Sequence, residues 1–322
     1  MARTIDDSID WDAYVEDAND GRADIKPASA FLDEVVRYFH GEDEVAAGTR
    51  TPWPSLGANL CFRPGEVTLW AGVNGHGKSG VQGFAMLDAM SQSQKVCIAS
   101  MEMPPRETIQ RLCRQAACGS APSIEYIEKF HGWTDGRLWL YAHQGTVPRD
   151  RMIALSRYCR TEIGIDHMVI DSIMKCGIAP DDYAGQKNFV DALCVLARDT
   201  GMHIHVVHHM RKSERETDVP DKFGIKGAGE ITDLVDNVLI VYRNKRKEAQ
   251  LQSGKLSGDA LEAAEAMADT LLICDKQRHF TWEGTTKLWF DKDTLQFLDQ
   301  RSGGEKYLDL QSGQWQRAWR RK

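Results

Sequence analysis

Short apolar runs alternate along the chain with segments in which apolar residues recur every three or four positions. The first pattern predicts buried strands, and the second predicts helices that pack one face against them. Strands are predicted at 67–71, 96–100, 138–142, 167–170, 204–208, 238–242 and 271–274. Helices are predicted between them at 78–91, 105–130, 149–162 and 187–200. This alternation predicts an α/β fold with a mainly parallel central sheet flanked by helices on both faces.

Both ends of the chain and one internal stretch fall outside the alternation. Residues 1–25 carry eight acidic residues and predict a loosely docked arm. A helical pattern with one apolar face runs from Pro27 to Gly41, and that face packs either on its own domain or on a neighbouring subunit. Residues 244–268 are polar and predict a surface insertion. Segments 286–290 and 295–298 predict a closing hairpin.

The pattern therefore divides the chain into three parts. Residues 1–49 are an acidic arm with a linker helix, and residues 50–300 are the main domain. Residues 301–322 end in a basic stretch with two tryptophans, which predicts a flexible tail. Contact of this tail with a partner or with DNA is the alternative.

Composition narrows the class of protein. The chain has 322 residues and 42% hydrophobic content, which suits one large domain with an arm. Its net charge of −7 argues against a protein coated in positive charge, but a basic loop or channel remains compatible with it. No apolar run reaches the length of about 18 residues that predicts a membrane span. Eight cysteines without a C-x-x-C pair predict buried free thiols in a reducing compartment.

A glycine-rich turn lies between the first long strand and its helix. Gly72, four residues, Gly77, Lys78 and Ser79 match the P-loop spacing G-x-x-x-x-G-K-[ST]. The glycines let backbone N–H groups face phosphate oxygens, and the following helix presents its positive end. A chance match of a glycine-rich turn is the alternative, but the strand–turn–helix order favours a triphosphate site. The predicted binding set is Gly72, Asn74, Gly75, His76, Gly77, Lys78, Ser79 and Gly80.

Carboxylates follow two other strands. Glu102 comes directly after the strand that ends at Ser100, and Asp171 ends an apolar run that begins at His167. One carboxylate can hold a metal ion near the phosphates and the other can activate water. Each alone could be a helix cap or a surface acid. Together with a P-loop at a third strand end, they predict a hydrolytic site.

Polar and basic residues follow the remaining strands. His208 and His209 end one strand, and either could sense the γ-phosphate. The long loop at 211–229 carries Arg211, Lys212 and Lys226, which could follow a phosphate backbone, although acids within it weaken that interpretation. Lys276 and Arg278 follow the last long strand, where an arginine could reach a neighbour's nucleotide or simply be solvated.

In order and spacing, these pieces resemble the RecA-type motor domain of DnaB-like hexameric replicative helicases, nearest to the helicase half of short-tailed-phage primase-helicases and mitochondrial Twinkle. The match covers about residues 50–300. It rests on Gly72–Ser79, Ser100-Met-Glu-Met-Pro104, Met168-Val-Ile-Asp-Ser172, Val207-His-His-Met-Arg211 with Lys226-Gly-Ala-Gly229, and Asp275-Lys-Gln-Arg278.

The resemblance implies a role for each candidate residue. Lys78 and Ser79 would hold phosphates and Mg²⁺, Asp171 would be the second metal residue, and Glu102 would be the catalytic base. His209 rather than His208 would be the sensor, and Arg278 with Lys276 would act in trans. Arg243 and Phe290 would hold or border the base. The DNA-contacting loops would be 174–187 and 211–229, with Arg211, Lys212, Lys226, Gly227 and Gly229.

The implied protein is a cytoplasmic enzyme of a phage-infected or plasmid-bearing host that uses ATP or a dNTP with Mg²⁺. It would act as a hexameric ring on single-stranded DNA, with a separate primase and a DNA polymerase as further partners and no membrane. No primase domain or zinc ribbon precedes the motor pattern, and the basic tail differs from the acidic tails common in phage helicases. The alternatives are a RecA/RadA-like recombination ATPase and a non-unwinding ATPase switch or loader that binds a protein.

Overall fold

A ten-stranded sheet forms the centre of the protein. The computed structural model describes residues 3–4, 9–14, 27–40, 48–210, 218–225 and 228–318. The strands of the main sheet are β1 (Arg3–Thr4), β4 (Val67–Gly72), β5 (Val96–Ser100), β6 (Leu138–Leu140), β7 (His167–Asp171), β8 (His203–His209), β9 (Asn237–Arg243), β10 (Thr270–Gln277), β11 (Gly284–Phe290) and β12 (Phe297–Leu298). Two short strands, β2 (Thr49–Arg50) and β3 (Cys61–Phe62), pair separately.

The strand order is β1-β6-β5-β7-β8-β4-β9-β10-β11-β12. In this spatial order, each strand from β1 through β9 runs parallel to its neighbour. The last three strands, β10, β11 and β12, are each antiparallel to the strand before them. All residues of β4, β5 and β7 are buried, which explains their uninterrupted apolar runs. Two large apolar clusters lie against the sheet. The predicted mainly parallel α/β fold is therefore confirmed.

The helices lie between the strands much as their periodicity predicts. They are α1 (Leu32–His40), α2 (Lys78–Ser91), α3 (Pro105–Ala117), α4 (Ile124–Thr134), α5 (Arg149–Tyr158), α6 (Tyr183–Thr200), α7 (Ala228–Leu234), α8 (Lys245–Gln252) and α9 (Asp259–Ala266). The single predicted segment at 105–130 is two helices, since Cys118 adopts a left-handed conformation that ends α3. Among the described residues, no helix combines the length and apolar character that a membrane crossing requires.

Strand direction decides which side chains meet. The parallel strands β4, β5, β7 and β8 end at one edge of the sheet, where Gly72 pairs with His209 and Ser100 pairs with Asp171. We call this the P-loop edge. Strand β10 runs the other way, so its last residue, Gln277, lies beside Asn237 at the start of β9. The end of β10 therefore lies at the opposite edge.

The C-terminal segment differs from the flexible tail that the sequence predicts. Strands β13 (Lys306–Asp309) and β14 (Gln314–Arg317) form an antiparallel hairpin, and Leu308 is fully buried. The ammonium of Lys306 lies 4.9 Å from the ring centroid of Trp315 and donates to the Pro52 carbonyl. The tail prediction is wrong here, because this apolar and cation–π packing holds the hairpin on the domain. Residues 319–322 lie outside the described part.

The N-terminal arm is described only in part. Strand β1 extends the sheet beside β6, and Trp11 and Tyr14 pack on the ring of Tyr158. On helix α1, the side chains of Leu32, Val35 and Val36 are between 48% and 62% exposed. The apolar face that the sequence predicts is thus open to solvent at these three positions.

Three histidines form a network of ring contacts and hydrogen bonds inside the core. Trp70 donates to Nδ1 of His205, so the other nitrogen of His205 carries the proton and donates to Nδ1 of His167. His167 in turn donates to Thr49. His203 donates to the carbonyl of Arg63 and accepts from Thr68. Burial lowers the pKa of His167 and of His203 to about 3, and it lowers the pKa of His205 well below its usual range. The three rings are therefore neutral in the folded protein.

Candidate active site

The glycine-rich turn between β4 and α2 has the backbone geometry of a phosphate-binding loop. Gly75 and Gly77 adopt left-handed conformations, with φ of 80° and 89°. Gly72 is required by close packing, since a Cβ there would lie 2.6 Å from the carbonyl oxygen of Val241. Asn74 and Gly75 are exposed at the tip, whereas His76 is buried and accepts a hydrogen bond from the backbone N–H of Arg243. The loop is thereby fixed between two strands.

The Lys78 ammonium lies at the mouth of this loop. It donates to the carbonyls of Gly72 at 2.8 Å and Val73 at 3.2 Å, and it lies 3.4 Å from Nδ1 of His209. Burial lowers the pKa of Lys78, while the nearby carboxylates of Asp171 and Glu102 oppose that shift. The amine is therefore held where a negatively charged ligand would compensate its desolvation.

Ser79 and Asp171 bring two oxygen ligands together. The Ser79 hydroxyl donates to Oδ2 of Asp171 at 2.8 Å. Burial raises the pKa of Asp171, and the Ser79 hydrogen bond, Lys78 and Arg111 act against that rise. A hydroxyl beside a buried carboxylate is a hard-oxygen donor set of the kind that Mg²⁺ prefers. These residues fit the ion that the P-loop pattern implies.

Glu102 and His209 lie on the other side of Lys78. Oε1 of Glu102 is 3.8 Å from Nε2 of His209 and accepts a hydrogen bond from Ser172 at 3.2 Å. The Glu102 side chain is 43% exposed, so water can reach it. His208 is fully buried, whereas His209 faces Lys78 and Glu102. The alternation of a strand separates the two histidines and leaves only His209 in the site.

Arg243 ends β9, the strand next to the P-loop strand β4, and Phe290 ends β11, two strands further along the sheet. The ring of Phe290 lies 4.8 Å from that of Phe297, and a Cβ at Gly80 would lie 3.0 Å from the Phe297 ring. Because Gly80 has no side chain, the Phe297 ring can pack closely against the start of α2. The Arg243 guanidinium pairs with Glu248 next to the loop. Arg243 therefore contacts the P-loop directly through His76, whereas Phe290 packs on Phe297, which in turn lies against the loop.

Lys276 and Arg278 are not brought to this site. The Lys276 ammonium donates to the carbonyls of Thr232, Asp233 and Val235, at the end of α7. The Arg278 guanidinium donates to the carbonyls of Asp233 and Leu234, and it pairs with Asp236 at 3.1 Å. Both cations lie at the edge of the sheet opposite to the P-loop. They cannot reach a nucleotide on their own P-loop.

The predicted DNA loops are described in part. Arg211, Lys212, Lys226 and Gly227 lie outside the described residues, whereas Gly229 lies in the first turn of α7. In the other loop, a 3₁₀ turn at Ile173–Lys175 precedes the start of α6, and Lys187 on that helix pairs with Glu230 at 3.2 Å. This ion pair joins the two loop regions.

Sequence reasoning missed two residues near the site. The positive charge of Arg111 acts on Asp171, and both residues line a small cavity beside Ser79. Gln115 donates to the carbonyls of Gly80 and Leu295, joining α2 to the segment before β12. Both lie on α3, which begins three residues after Glu102. Because α3 starts at the P-loop edge, side chains on its first turns are candidates for the site. The closeness of Arg111 and Gln115 to Glu102 in the sequence was the signal that could have identified them.

Comparison with known proteins identifies the family. A family model described as an AAA domain matches residues 42–215, which include the P-loop, Glu102, Asp171 and His209. The chain belongs to the AAA domain family. Membership implies that this AAA domain uses a nucleotide, typically with Mg²⁺.

Among curated proteins, this AAA domain is similar to the DNA helicase/primase of Enterobacteria phage T3. The two are 23% identical over 214 residues, which cover 58% of this chain and 37% of that protein. The chain therefore matches little more than a third of that relative's length.

Among solved structures, one isolated ATPase domain superposes with a TM-score of 0.70 and 17% identity, over 85% of this chain and 99% of that one. A DnaB-like replicative helicase, solved in a study of its interactions with primase, gives a TM-score of 0.65 and 16% identity, over 85% of this chain and 67% of that one. The predicted resemblance to DnaB-like motor domains is confirmed at the level of fold.

Proposed function

We propose that this AAA domain is the motor of a replicative DNA helicase, which hydrolyses ATP or a dNTP to move along single-stranded DNA and unwind a duplex. One observation carries the proposal. Five residues that we propose for hydrolysis, Lys78, Ser79, Glu102, Asp171 and His209, meet at the P-loop edge, whereas Arg278 lies at the opposite edge of the same sheet. A complete site then needs a second copy of the chain, as in a ring.

The residues at the P-loop edge divide the chemistry between them. Lys78 would bind the β- and γ-phosphates, and Ser79 with Asp171 would hold Mg²⁺, which would supply positive charge beside the phosphates. Glu102 accepts a proton from the attacking water, with its orientation supported by Ser172. His209 touches both Lys78 and Glu102, so it is placed to respond when the γ-phosphate leaves. Arg243 and Phe290 border the base.

The neighbouring copy contributes Arg278, supported by Lys276. A guanidinium keeps its charge at all working pH values and can bind two phosphate oxygens at once. Repetition of a head-to-tail contact closes a ring when its rotation permits, and we propose six copies. The exposed apolar positions on α1 are suited to docking on the next copy.

Single-stranded DNA is the proposed track. Arg211, Lys212, Lys226, Gly227 and Gly229 would contact its backbone, which fits binding by a locally basic loop on an acidic protein. A separate primase and a DNA polymerase are the proposed partners, in the cytoplasm of a bacterial host. The similarity to a phage helicase/primase supports this setting.

Imaging of the particle with an ATP analogue and single-stranded DNA tests the assembly. Closed six-fold rings are expected, together with fork unwinding that the Lys78→Ala variant lacks. Open filaments that pair strands would instead indicate a recombination ATPase. Monomers whose hydrolysis ignores DNA would indicate a protein-binding switch.

A further inference from the structure

The end of strand β10 holds one loop–helix unit at two places. We define this unit as residues 218–235, of which 218–225 and 228–235 are described. At one place, the Asp275 carboxylate accepts a hydrogen bond of 2.7 Å from the backbone N–H of Lys222, and the Lys222 ammonium donates to the Asp275 carbonyl. At the other place, Lys276 and Arg278 bind the carbonyls at the end of α7. Three residues at the end of β10, namely Asp275, Lys276 and Arg278, thus bind both parts of the unit.

The unit is also joined to the P-loop edge. Ile225 is fully buried and pairs with Met210, the residue directly after His209. The unit therefore spans from the sensor of one nucleotide site to the cations that we propose serve the neighbouring site. The Asp275 contact at Lys222 lies three residues before the Ile225 attachment.

The attachment through Arg278 can be exchanged for a neighbour's phosphate, whereas the attachment through Asp275 cannot. Cations at a helix C-terminus are favourable, but Arg278 binds carbonyls from a half-exposed position and can exchange them for a phosphate. The Asp275 bond joins a half-buried carboxylate to a backbone amide, and nothing in the proposed reaction competes for it. When Arg278 leaves α7 for a phosphate, the Asp275 bond stays.

We propose that Asp275 is a positioning residue that fastens the proposed DNA loop to the strand carrying Arg278, so that engagement of Arg278 by the neighbour's nucleotide moves the loop. This inference rests on the proposed function. Loss of the Asp275 side chain leaves the P-loop site intact but uncouples it from DNA.

The test compares nucleotide hydrolysis with and without single-stranded DNA in three variants. Asp275→Ala should lower the stimulation by DNA at least about fivefold, the lower end of ordinary coupling between sites, with DNA-independent kcat and nucleotide KM within about twofold of wild type. Asp275→Asn keeps an acceptor for the Lys222 N–H, so it should restore most of the stimulation. The exposed Asp191→Ala, which removes a similar charge elsewhere, should match wild type.

Hydrogen exchange supplies a readout independent of turnover. Amides of residues 222–225 should exchange faster in Asp275→Ala and at the wild-type rate in Asp275→Asn. Full DNA stimulation in Asp275→Ala, or equal loss in both Asp275 variants, would overturn the inference while leaving the helicase proposal standing. A wild-type protein without any DNA stimulation would overturn both.

Discussion

The hydroxyl of Ser79 donates a 2.8 Å hydrogen bond to the carboxylate of Asp171, although 92 positions separate the two residues along the chain. The bond joins the first turn of α2 to the end of β7. Because Ser100 pairs with Asp171 across β5 and β7, Glu102 is brought to the same place. Adjacent parallel strands thus bring the candidate residues together, and each of them can be tested separately.

Glu102→Gln should separate nucleotide binding from hydrolysis. Glutamine keeps the shape and still accepts the Ser172 hydrogen bond, but it cannot accept a proton from water. Hydrolysis should fall by at least about 100-fold, and nucleotide affinity should change by less than about threefold. Single-turnover hydrolysis and equilibrium nucleotide binding measure the two effects. Glu128→Gln on an exposed face of α4 is the control, and comparable hydrolysis in both variants would contradict the role of Glu102.

Lys78→Ala and Arg278→Ala should each abolish hydrolysis, but mixing the two proteins should restore part of it. An interface regains both groups when a subunit with intact Lys78 meets a neighbour with intact Arg278. Random mixing at equal amounts produces this arrangement at about one site in four. Steady-state hydrolysis of the mixture measures it.

The control for that experiment mixes Lys78→Ala with the double variant Lys78→Ala/Arg278→Ala, which cannot form a complete site. Arg278→Ala alone should still bind nucleotide. If that variant loses nucleotide binding, the trans assignment is wrong.

His205→Gln should weaken the dependence of stability on pH. The pKa values of His167, His203 and His205 all lie below their unfolded value of about 6.5, so the neutral network contributes its full stability above pH 6.5. That contribution is lost as the pH falls from 6.5 toward 3, because the unfolded chain binds more protons. Each such histidine adds up to about 1.4 kcal/mol per pH unit.

Glutamine can accept from Trp70 and donate to His167 without being protonated. Urea unfolding at pH 7, 6 and 5 should therefore show a shallower decline in the variant than in wild type. The raised pKa values of Asp88 and Asp171 stabilise the folded state as the pH falls. Both proteins share this contribution, so it cancels when the variant is compared with wild type. Parallel declines in the two proteins would contradict the assignment.

Leu308→Ala should destabilise the whole domain by about 2–4 kcal/mol, because its fully buried side chain anchors the C-terminal hairpin. Chemical denaturation followed by circular dichroism measures the change. Gln311→Ala, in the exposed turn of the same hairpin, is the matched control and should alter stability by less than about 0.5 kcal/mol. An unchanged midpoint for Leu308→Ala would mean that the hairpin is not held on the domain.

The order of strands and helices and the position of the P-loop follow from the sequence alone. Both are written locally, as apolar periodicity and as glycines at set spacing. Glu102 and Asp171 could be proposed for the same reason, since each directly follows a buried strand. Element ends were less well defined: α6 begins at Tyr183 because Asp182 caps it, four residues before the apolar pattern indicates.

The tertiary structure decided which of these local features meet. Strand β10 runs antiparallel to β9, and only this direction carries Arg278 away from its own P-loop. The neutral histidine network and the packed hairpin also depend on partners more than 100 residues distant, such as Thr49 for His167 and Pro52 for Lys306. The sequence by itself determined the components of the site, because their signals are short-range. Their division between two edges of one sheet was decided by strand pairing, which no local pattern records.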